Sequence, residues 1–421
     1  MRIKQLEVNR YKSIEDPILI NNFSNLHILV GPNNAGKTNV LDAINIFFDQ
    51  SLDKERFADR KASMKITIEK DGQEYALEYF GPPFNDQSET ILKLKKHFVR
   101  IGDASLIYGL IPQELKYFAQ NYPKKYREFS LTLRDYFKDV EISEELFVLS
   151  VHAEEKKHRP LRRIGEGFKR LFVILFYFFH PEYNIILIDE PELHLHPSII
   201  KKLLFILKEK DLQKQIFLTT HHPTFIQASC LQYVWRISKN KNESTVIHGL
   251  NSSNINADRF IQEINDDNSS MLFSDKVLLV EGISDKIFMQ EILDRFYQKE
   301  KDIKVVYTGG KGTVDLYAKL CNIFNIPCAI MLDGDALYSP SLQKMKGINF
   351  IKKNISNKEK IKRLKDLEIF ILERDLEYTF PKRYKRRETK PLNALFVSRR
   401  MTAQDLDGPR MRIIKEVMET I

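Results

Sequence analysis

The stretch Gly31-Pro32-Asn33-Asn34-Ala35-Gly36-Lys37-Thr38 follows the apolar run Leu26-His27-Ile28-Leu29-Val30 and opens a helical pattern from Thr38 to Phe48. It satisfies GxxxxGK[ST], and a strand ahead with a helix behind is the context that motif needs. Glycines let successive backbone N–H groups turn toward one point, so the loop and the helix N-terminus together offer donors to a phosphate chain. Asn33, Asn34 and Gly36 belong to that cradle, Lys37 reaches the β- and γ-phosphate oxygens, and Thr38 ligates Mg²⁺. ATP with Mg²⁺ is the expected ligand.

A second half of the same site lies downstream. Ile185-Ile186-Leu187-Ile188 is a wholly apolar strand that ends in Asp189-Glu190, and Gln215 to Thr219 is another that ends in Thr220-His221-His222-Pro223. Strands buried on both faces belong to a parallel sheet. Asp189 is then aimed at the Mg²⁺ water shell, Glu190 at the attacking water, and His221 at the γ-phosphate. Two acids at a strand end can also cap the next helix, and the upstream phosphate loop is what favours the catalytic reading.

The C-terminal third repeats strand and helix with a different chemistry. Lys276-Val277-Leu278-Leu279-Val280 ends in Glu281-Gly282, with Asp285 at the start of a helix. Ile303 to Tyr307 ends in Gly309-Gly310-Lys311-Gly312, Cys328 to Leu332 in Asp333-Gly334-Asp335, and Ile369 to Leu372 in Glu373-Arg374-Asp375-Leu376-Glu377. Carboxylates at the C-terminal ends of parallel strands converge on one crevice. Each acid alone is better read as a helix cap or a solvated side chain. Together, Glu281, Asp285, Asp333, Asp335 and Glu377 form a set of hard oxygen ligands suited to Mg²⁺ or Mn²⁺.

The run Asp189-Glu190-Pro191-Glu192-Leu193-His194-Leu195-His196-Pro197, followed by Thr220-His221, resembles ABC-type ATPases of the group that includes the OLD (overcoming lysogenization defect) and RecF-like proteins. That resemblance covers residues 1 to about 235 apart from a middle insertion. It implies ATP sandwiched between two heads, hence a homo-oligomer, with Ile164-Gly165-Glu166-Gly167-Phe168-Lys169-Arg170 as the signature segment and Gly165 and Gly167 at the nucleotide. Gly165 stands where that group has a serine, so the implication is ATP binding with weak hydrolysis. The histidines His194 and His196 invite a zinc reading, which one short HxH without further ligands supports less well than a place at the head–head contact.

Glu281-Gly282 with Asp333-Gly334-Asp335 resembles the TOPRIM fold, and Gly309 to Gly312 with Asp375-Leu376-Glu377 is similar to its OLD-family version, over about 272–400. The resemblance implies a two-metal environment, with Glu281 and Asp285 on one side completed by Asp333, Asp335 and Glu377. Lys390 would support the transition state. The expected fold class is α/β, an ABC-type P-loop ATPase domain followed by a Rossmann-like TOPRIM domain with a central parallel sheet. The function implied is an ATP-regulated, metal-dependent endonuclease acting on DNA in anti-phage defence, alongside a helicase or a retron reverse transcriptase. Two other readings stay open: a RecF-like ATP-dependent DNA-binding protein that does not cut, and a toxin that cleaves RNA such as tRNA.

Composition bounds these readings. At 421 residues with 43% hydrophobic and 29% charged residues, the chain has room for two or three globular domains. The net charge of +9 suits a polyanion, with Lys382-Arg383-Tyr384-Lys385-Arg386-Arg387 and Lys156-Lys157-His158-Arg159, continued by Arg162-Arg163, as candidate backbone contacts. Three scattered cysteines build neither a disulfide framework nor a zinc ribbon, and the start of the chain lacks an apolar signal core, so a cytoplasmic location is expected. Leu171 to Phe179 is about half the ~20 residues a membrane span needs, so no membrane contact is expected. The expected domains are 1–255 with an insertion at 84–150, a linker at 256–271, and 272–421. The Phe and Tyr content of the insertion suggests an oligomerisation arm.

Overall fold

The computed structural model describes residues 1–21, 23–49, 62–80, 88–102, 111–137, 140–142, 147–150, 158–160, 165–209, 214–250, 268–298, 301–310, 312–345, 347–384 and 388–421. The chain divides into two units, Met1–Ile247 and His248–Ile421. The expected linker at 256–271 lies mostly outside the described residues, and Ser269–Phe273 is a short 3-10 turn.

In the first unit, β1 (Arg2–Asn9), β2 (Ile18–Asn21), β4 (Ser63–Lys70) and β5 (Gln73–Tyr79) form an antiparallel sheet in the order β2-β1-β4-β5. Strict alternation would send Ile3 and Leu6 to opposite faces, yet both are buried in one core. A register shift between Ile3 and Gln5 reconciles them, since one extra residue restores the inward phase.

The second sheet has the order β13-β12-β3-β11-β10-β6, built from β3 (Leu26–Val30), β6 (Phe98–Ile101), β10 (Ile185–Asp189), β11 (Gln215–Thr219), β12 (Val234–Lys239) and β13 (Thr245–Gly249). Its pairings β6–β10, β10–β11, β11–β3 and β3–β12 are parallel. The helix Lys37–Asn45 buries Val40, Leu41 and Ile44 in a cluster shared by both sheets, which fixes the phosphate loop over the parallel strand ends. Three short strands, β7 (Val140–Ile142), β8 (Phe147–Ser150) and β9 (His158–Pro160), make a separate antiparallel sheet.

Within the expected insertion at 84–150, the described residues include sheet and core positions. Phe98–Ile101 is β6 of the six-stranded sheet, paired with β10. Phe118 and Phe129 are buried, and their rings pack on Phe172 and Phe176 of the helix Glu166–Phe179. That helix is buried from Phe168 to Phe179, too apolar for one sheet contact to cover, so the aromatics at 118 and 129 close its other side. Aromatic content here signals core. Removing Phe129 as Phe129→Ala should cost about 3–5 kcal/mol in denaturant melts and leave the oligomeric state in sedimentation unchanged. A change of oligomeric state without loss of stability would restore the arm.

In the second unit, β14 (Lys276–Val280), β15 (Ile303–Tyr307), β16 (Cys328–Leu332) and β17 (Ile369–Ile371) form an all-parallel sheet in the order β15-β14-β16-β17. The chain moves from β14 outward to β15, then returns to the opposite side at β16. Crossovers therefore reverse between β14 and β16, the place where an open parallel sheet leaves a crevice at its C-terminal edge. The helix Ile283–Phe296 and the helix Lys390–Arg400 bury Phe288, Ile292, Ala394 and Val397 in one core with Leu278, Val280 and Met331 of the strands.

Candidate functional sites

The phosphate loop is shaped by two close approaches. Gly31 has φ 143° and lies against the Ile237 carbonyl, where a Cβ would collide, and Gly36 has φ 102° with the Thr245 and Ser13 side chains where its Cβ would stand. Both conformations favour glycine. Asn33 and Asn34 are exposed at the crown of the loop. The Lys37 Nζ is buried and donates to the carbonyl oxygens of Gly31 and Pro32 at 2.9 and 2.8 Å. Burial pulls its pKa down to about 8, with the charges of Glu190 and Glu192 opposing.

Thr38, Asp189 and Glu190 line one cleft of about 440 Å³ with Glu166, Arg170 and His194. Glu190 turns out of the strand with φ 47°, its N–H donated to the Thr219 carbonyl at 3.1 Å. His221 Nε2 stands 3.5 Å from Glu190 Oε1, and burial together with Lys37 lowers the imidazole pKa against the pull of Glu190. Glu192 accepts from Thr220 Oγ1 and the His221 N–H, both at 2.8 Å, and burial raises its pKa. Gly165 caps the helix Glu166–Phe179 without lining the cleft, and Gly167 packs on the His194 carbonyl, where a Cβ would not fit. Of the signature segment, Glu166 and Arg170 are the residues that line this cleft. Among the described residues no cluster of histidines and carboxylates is placed to hold a metal, His194 and His196 included.

Sequence reasoning missed the group that holds Asp189. Arg100, from β6, donates through Nε and Nη2 to Asp189 Oδ2 at 3.1 and 2.7 Å and through Nη1 to Asp42 on the phosphate-loop helix. Thr219 Oγ1 donates to Asp189 Oδ1 at 3.1 Å. Arg170 reaches the carbonyl oxygens of Gly102, Asp189 and Glu190. The available signal was a charged residue inside the apolar tetrad Phe98-Val99-Arg100-Ile101.

The second centre sits at the C-terminal edge of the β14–β16–β17 strands. Glu281, Asp333, Asp335 and Glu377 line one open cleft of about 660 Å³, joined by Glu373, Arg374, Asp375 and Tyr378. Gly334 lets the β16 and β17 ends approach: an added Cβ would stand 2.8 Å from the Glu373 carbonyl oxygen, and the Gly334 N–H donates to the Arg374 carbonyl at 2.8 Å. Asp285 is buried beside this cleft and accepts the Gly282 N–H at 2.8 Å. Burial, then the charges of Glu281 and Glu377, push its pKa up to about 6 against the Gly282 hydrogen bond and Lys390. Asp333 rises to about 7 through burial and the charges of Asp285, Glu281, Asp375 and Glu377.

Asp333 Oδ1 is buried without a hydrogen-bond partner. Lys390 Nζ lies 3.3 Å from Glu377 Oε2 and 3.9 Å from Asp375 Oδ2. Burial alone would lower the Lys390 pKa, but the Glu377 hydrogen bond and the surrounding carboxylates raise it. An orphaned buried carboxylate oxygen amid like charges is short of positive charge, and that donor set fits Mg²⁺ or Mn²⁺. The side chains as they stand do not yet close around an ion, since no three acids or histidines among the described residues are drawn into a ligand group. Lys311, Lys156, Lys157, Arg162, Arg163 and Lys385 to Arg387 lie outside the described residues. Of the neighbouring basic stretch, Arg383 is held by Asp405 at 2.5 Å.

Residues 272–335 match the family model "Overcoming lysogenization defect protein-like, TOPRIM domain". Residues 59–227 match "AAA domain, putative AbiEii toxin, Type IV TA system", and 1–78 match a further AAA domain. The OLD nuclease of Thermus scotoductus is 29% identical over 165 residues, 36% of this chain and 30% of that protein. The Old nuclease of Escherichia phage P2 is 27% identical over 241 residues, 52% of this chain and 40% of the relative. Endonuclease GajA of Bacillus cereus is 33% identical over 110 residues, 26% of this chain and 19% of the relative. The chain thus aligns with less than half the length of each of these relatives. An SMC head domain from Thermotoga maritima overlays 60% of this chain and 100% of that one, with 18% identity and a TM-score of 0.41. The chain thus carries segments similar to AAA-type ATPase domains ahead of one similar to the OLD-like TOPRIM domain, the arrangement of the OLD ATPase–TOPRIM proteins that it resembles.

Proposed function

We propose that this chain is an ATP-regulated, divalent-metal-dependent endonuclease that hydrolyses phosphodiester bonds of DNA in anti-phage defence. The observation that carries this reading is the gathering of Glu281, Asp333, Asp335 and Glu377 in one cleft, with Asp285 and Lys390 beside it. The names of the relatives, OLD nuclease and endonuclease GajA, support it, and the defence role rests on the family resemblance.

Glu281, Asp285, Asp333, Asp335 and Glu377 are the groups that would hold Mg²⁺ or Mn²⁺, which supplies an activated water and charge stabilisation at the leaving oxygen. Lys390, kept protonated by Glu377 and Asp375, presents a positive charge to the pentacoordinate phosphorus. Glu377 thereby orients the lysine as well as completing the donor set. In the first unit Lys37 and Thr38 would hold the phosphates and Mg²⁺ of ATP, and Asp189, now paired with Arg100, would complete the metal's water shell. ATP acts as a conformational gate, and two heads sharing nucleotide make the chain a homo-oligomer.

Supercoiled plasmid incubated with the full chain and Mg²⁺ or Mn²⁺ should be nicked, with Asp333→Ala or Glu281→Ala lowering the rate by at least about 100-fold. Cutting at the wild-type rate by either variant would remove these residues from the site, and cleavage confined to tRNA would move the substrate to RNA.

The raised carboxyl pKa values predict a stability signature of defined sign. Asp333, near 7, and Asp285, near 6, retain protons in the folded chain that the unfolded chain has already released. The folded state therefore loses stability as pH rises from about 4 to 7, and that cost is complete above about pH 7. Asp333→Asn should melt about 2–4 °C above wild type near pH 8, the gap closing toward about pH 4 and shrinking when Mg²⁺ is added. A gap that is constant with pH would contradict the buried-charge account.

A further inference from the structure

The carboxylate cleft is lined by six acids and one cation, Arg374. A nucleic-acid backbone entering such a surface meets net repulsion that a pair of divalent ions only partly cancels, so a fixed cation at the rim has a defined task. Lys390, paired with Glu377 and Asp375, is assigned to the scissile phosphate, which leaves the flanking backbone to another cation. Arg374 is exposed, and among the described residues its guanidinium makes no hydrogen bond or ion pair with the acids beside it. It stacks on Tyr378, with its guanidinium carbon 5.1 Å from the ring centroid.

Three contacts fix this placement. The Arg374 carbonyl accepts the Gly334 N–H at 2.8 Å, tying its backbone to the Asp333-Gly334-Asp335 turn. Asp375 caps the next helix by accepting the Tyr378 N–H at 3.1 Å, which sets Tyr378 one turn away. Arg410 also stacks on Tyr378, at 4.6 Å from the centroid, and donates to its carbonyl at 3.5 Å. A guanidinium seated over a ring keeps its N–H groups available for a bidentate acceptor such as the two non-bridging oxygens of a phosphodiester.

We propose that Arg374, carried on Tyr378 and backed by Arg410, is the substrate-binding residue that receives a backbone phosphate of the nucleic acid at the carboxylate cleft. The inference rests on the nuclease reading for its cleft and goes beyond it in naming the group that grips the substrate. Asp375 and Tyr378 are positioning residues.

The test uses the full chain carrying Asp333→Asn, so that nothing is cut, and a short fluorescein-labelled DNA duplex followed by anisotropy over a range of salt. Adding Arg374→Ala should weaken binding about tenfold and reduce the slope of log K against log salt by about one. Arg374→Lys should keep the slope and regain only part of the affinity, because it restores the charge without the planar fork. Tyr378→Leu should weaken binding in the same direction as Arg374→Ala. Mn²⁺-induced thermal stabilisation of Arg374→Ala alone should equal that of wild type, which separates substrate binding from damage to the metal site. Unchanged affinity and slope in Arg374→Ala overturn the proposal whether or not the wild type cuts plasmid. Weakened binding with an unchanged slope overturns it too, since the loss would then be structural. Failure of the nuclease reading shows separately, as absence of Asp333-dependent cutting in the chain with Asp333 intact.

Discussion

Like charge confined at the edge of a parallel sheet is the constraint on which the C-terminal unit turns. β14 and β16 are neighbours whose crossovers depart in opposite directions, so Glu281 and Asp333 leave the sheet at the same point with no strand between them. Burial makes the ionised forms costly and their mutual repulsion adds to that cost, which is why Asp333 and Asp285 hold their protons toward neutrality. A sheet whose only purpose was stability would place apolar residues there. Gly334 brings the β17 end close enough for Glu377 to join, and Lys390, from the helix packed on Ile283–Phe296, provides partial compensation.

The N-terminal unit instead gathers donors at its phosphate loop. Lys37 turns back onto the loop's own carbonyl oxygens, and burial brings its pKa down to about 8. Asp189 is held between Arg100 and Thr219, and Arg100 also grips Asp42 on the helix that follows the loop. On the proposed reading, nucleotide entry would exchange two internal sets of contacts, Lys37 with carbonyls and Asp189 with Arg100, for contacts to phosphate and Mg²⁺. Arg100 ties the loop helix, through Asp42, to β10, through Asp189, and a nucleotide-driven gate would act through such a link.

The parts of this arrangement that could be read from sequence share one property: they are contiguous. The phosphate loop is eight residues long, and buried parallel strands are short apolar runs with charged residues at their ends, so Asp189, Glu281 and Asp333 stand out without any knowledge of pairing. Phe98–Ile101 was missed because four residues with an arginine inside carry no period, and its role depends on a partner 89 residues away. The aromatics at 118 and 129 suggested an exposed arm because composition cannot distinguish a surface that seeks a partner chain from one covered by its own helix. Arg374 was visible as a letter between two acids, but its stacking on Tyr378 depends on the turn that Asp375 caps.

The central claim is that the carboxylates at the β14, β16 and β17 ends are built for a divalent cation. Calorimetric titration of the full chain with Mn²⁺ at neutral pH, in two buffers of different ionisation enthalpy, tests it most directly. The account predicts saturable binding with net proton release, seen as a buffer-dependent heat, because Asp333 and Asp285 are partly protonated and must ionise to ligate; Asp333→Asn should lower both affinity and proton release. Binding without proton release, or binding unchanged in Asp333→Asn, would contradict it.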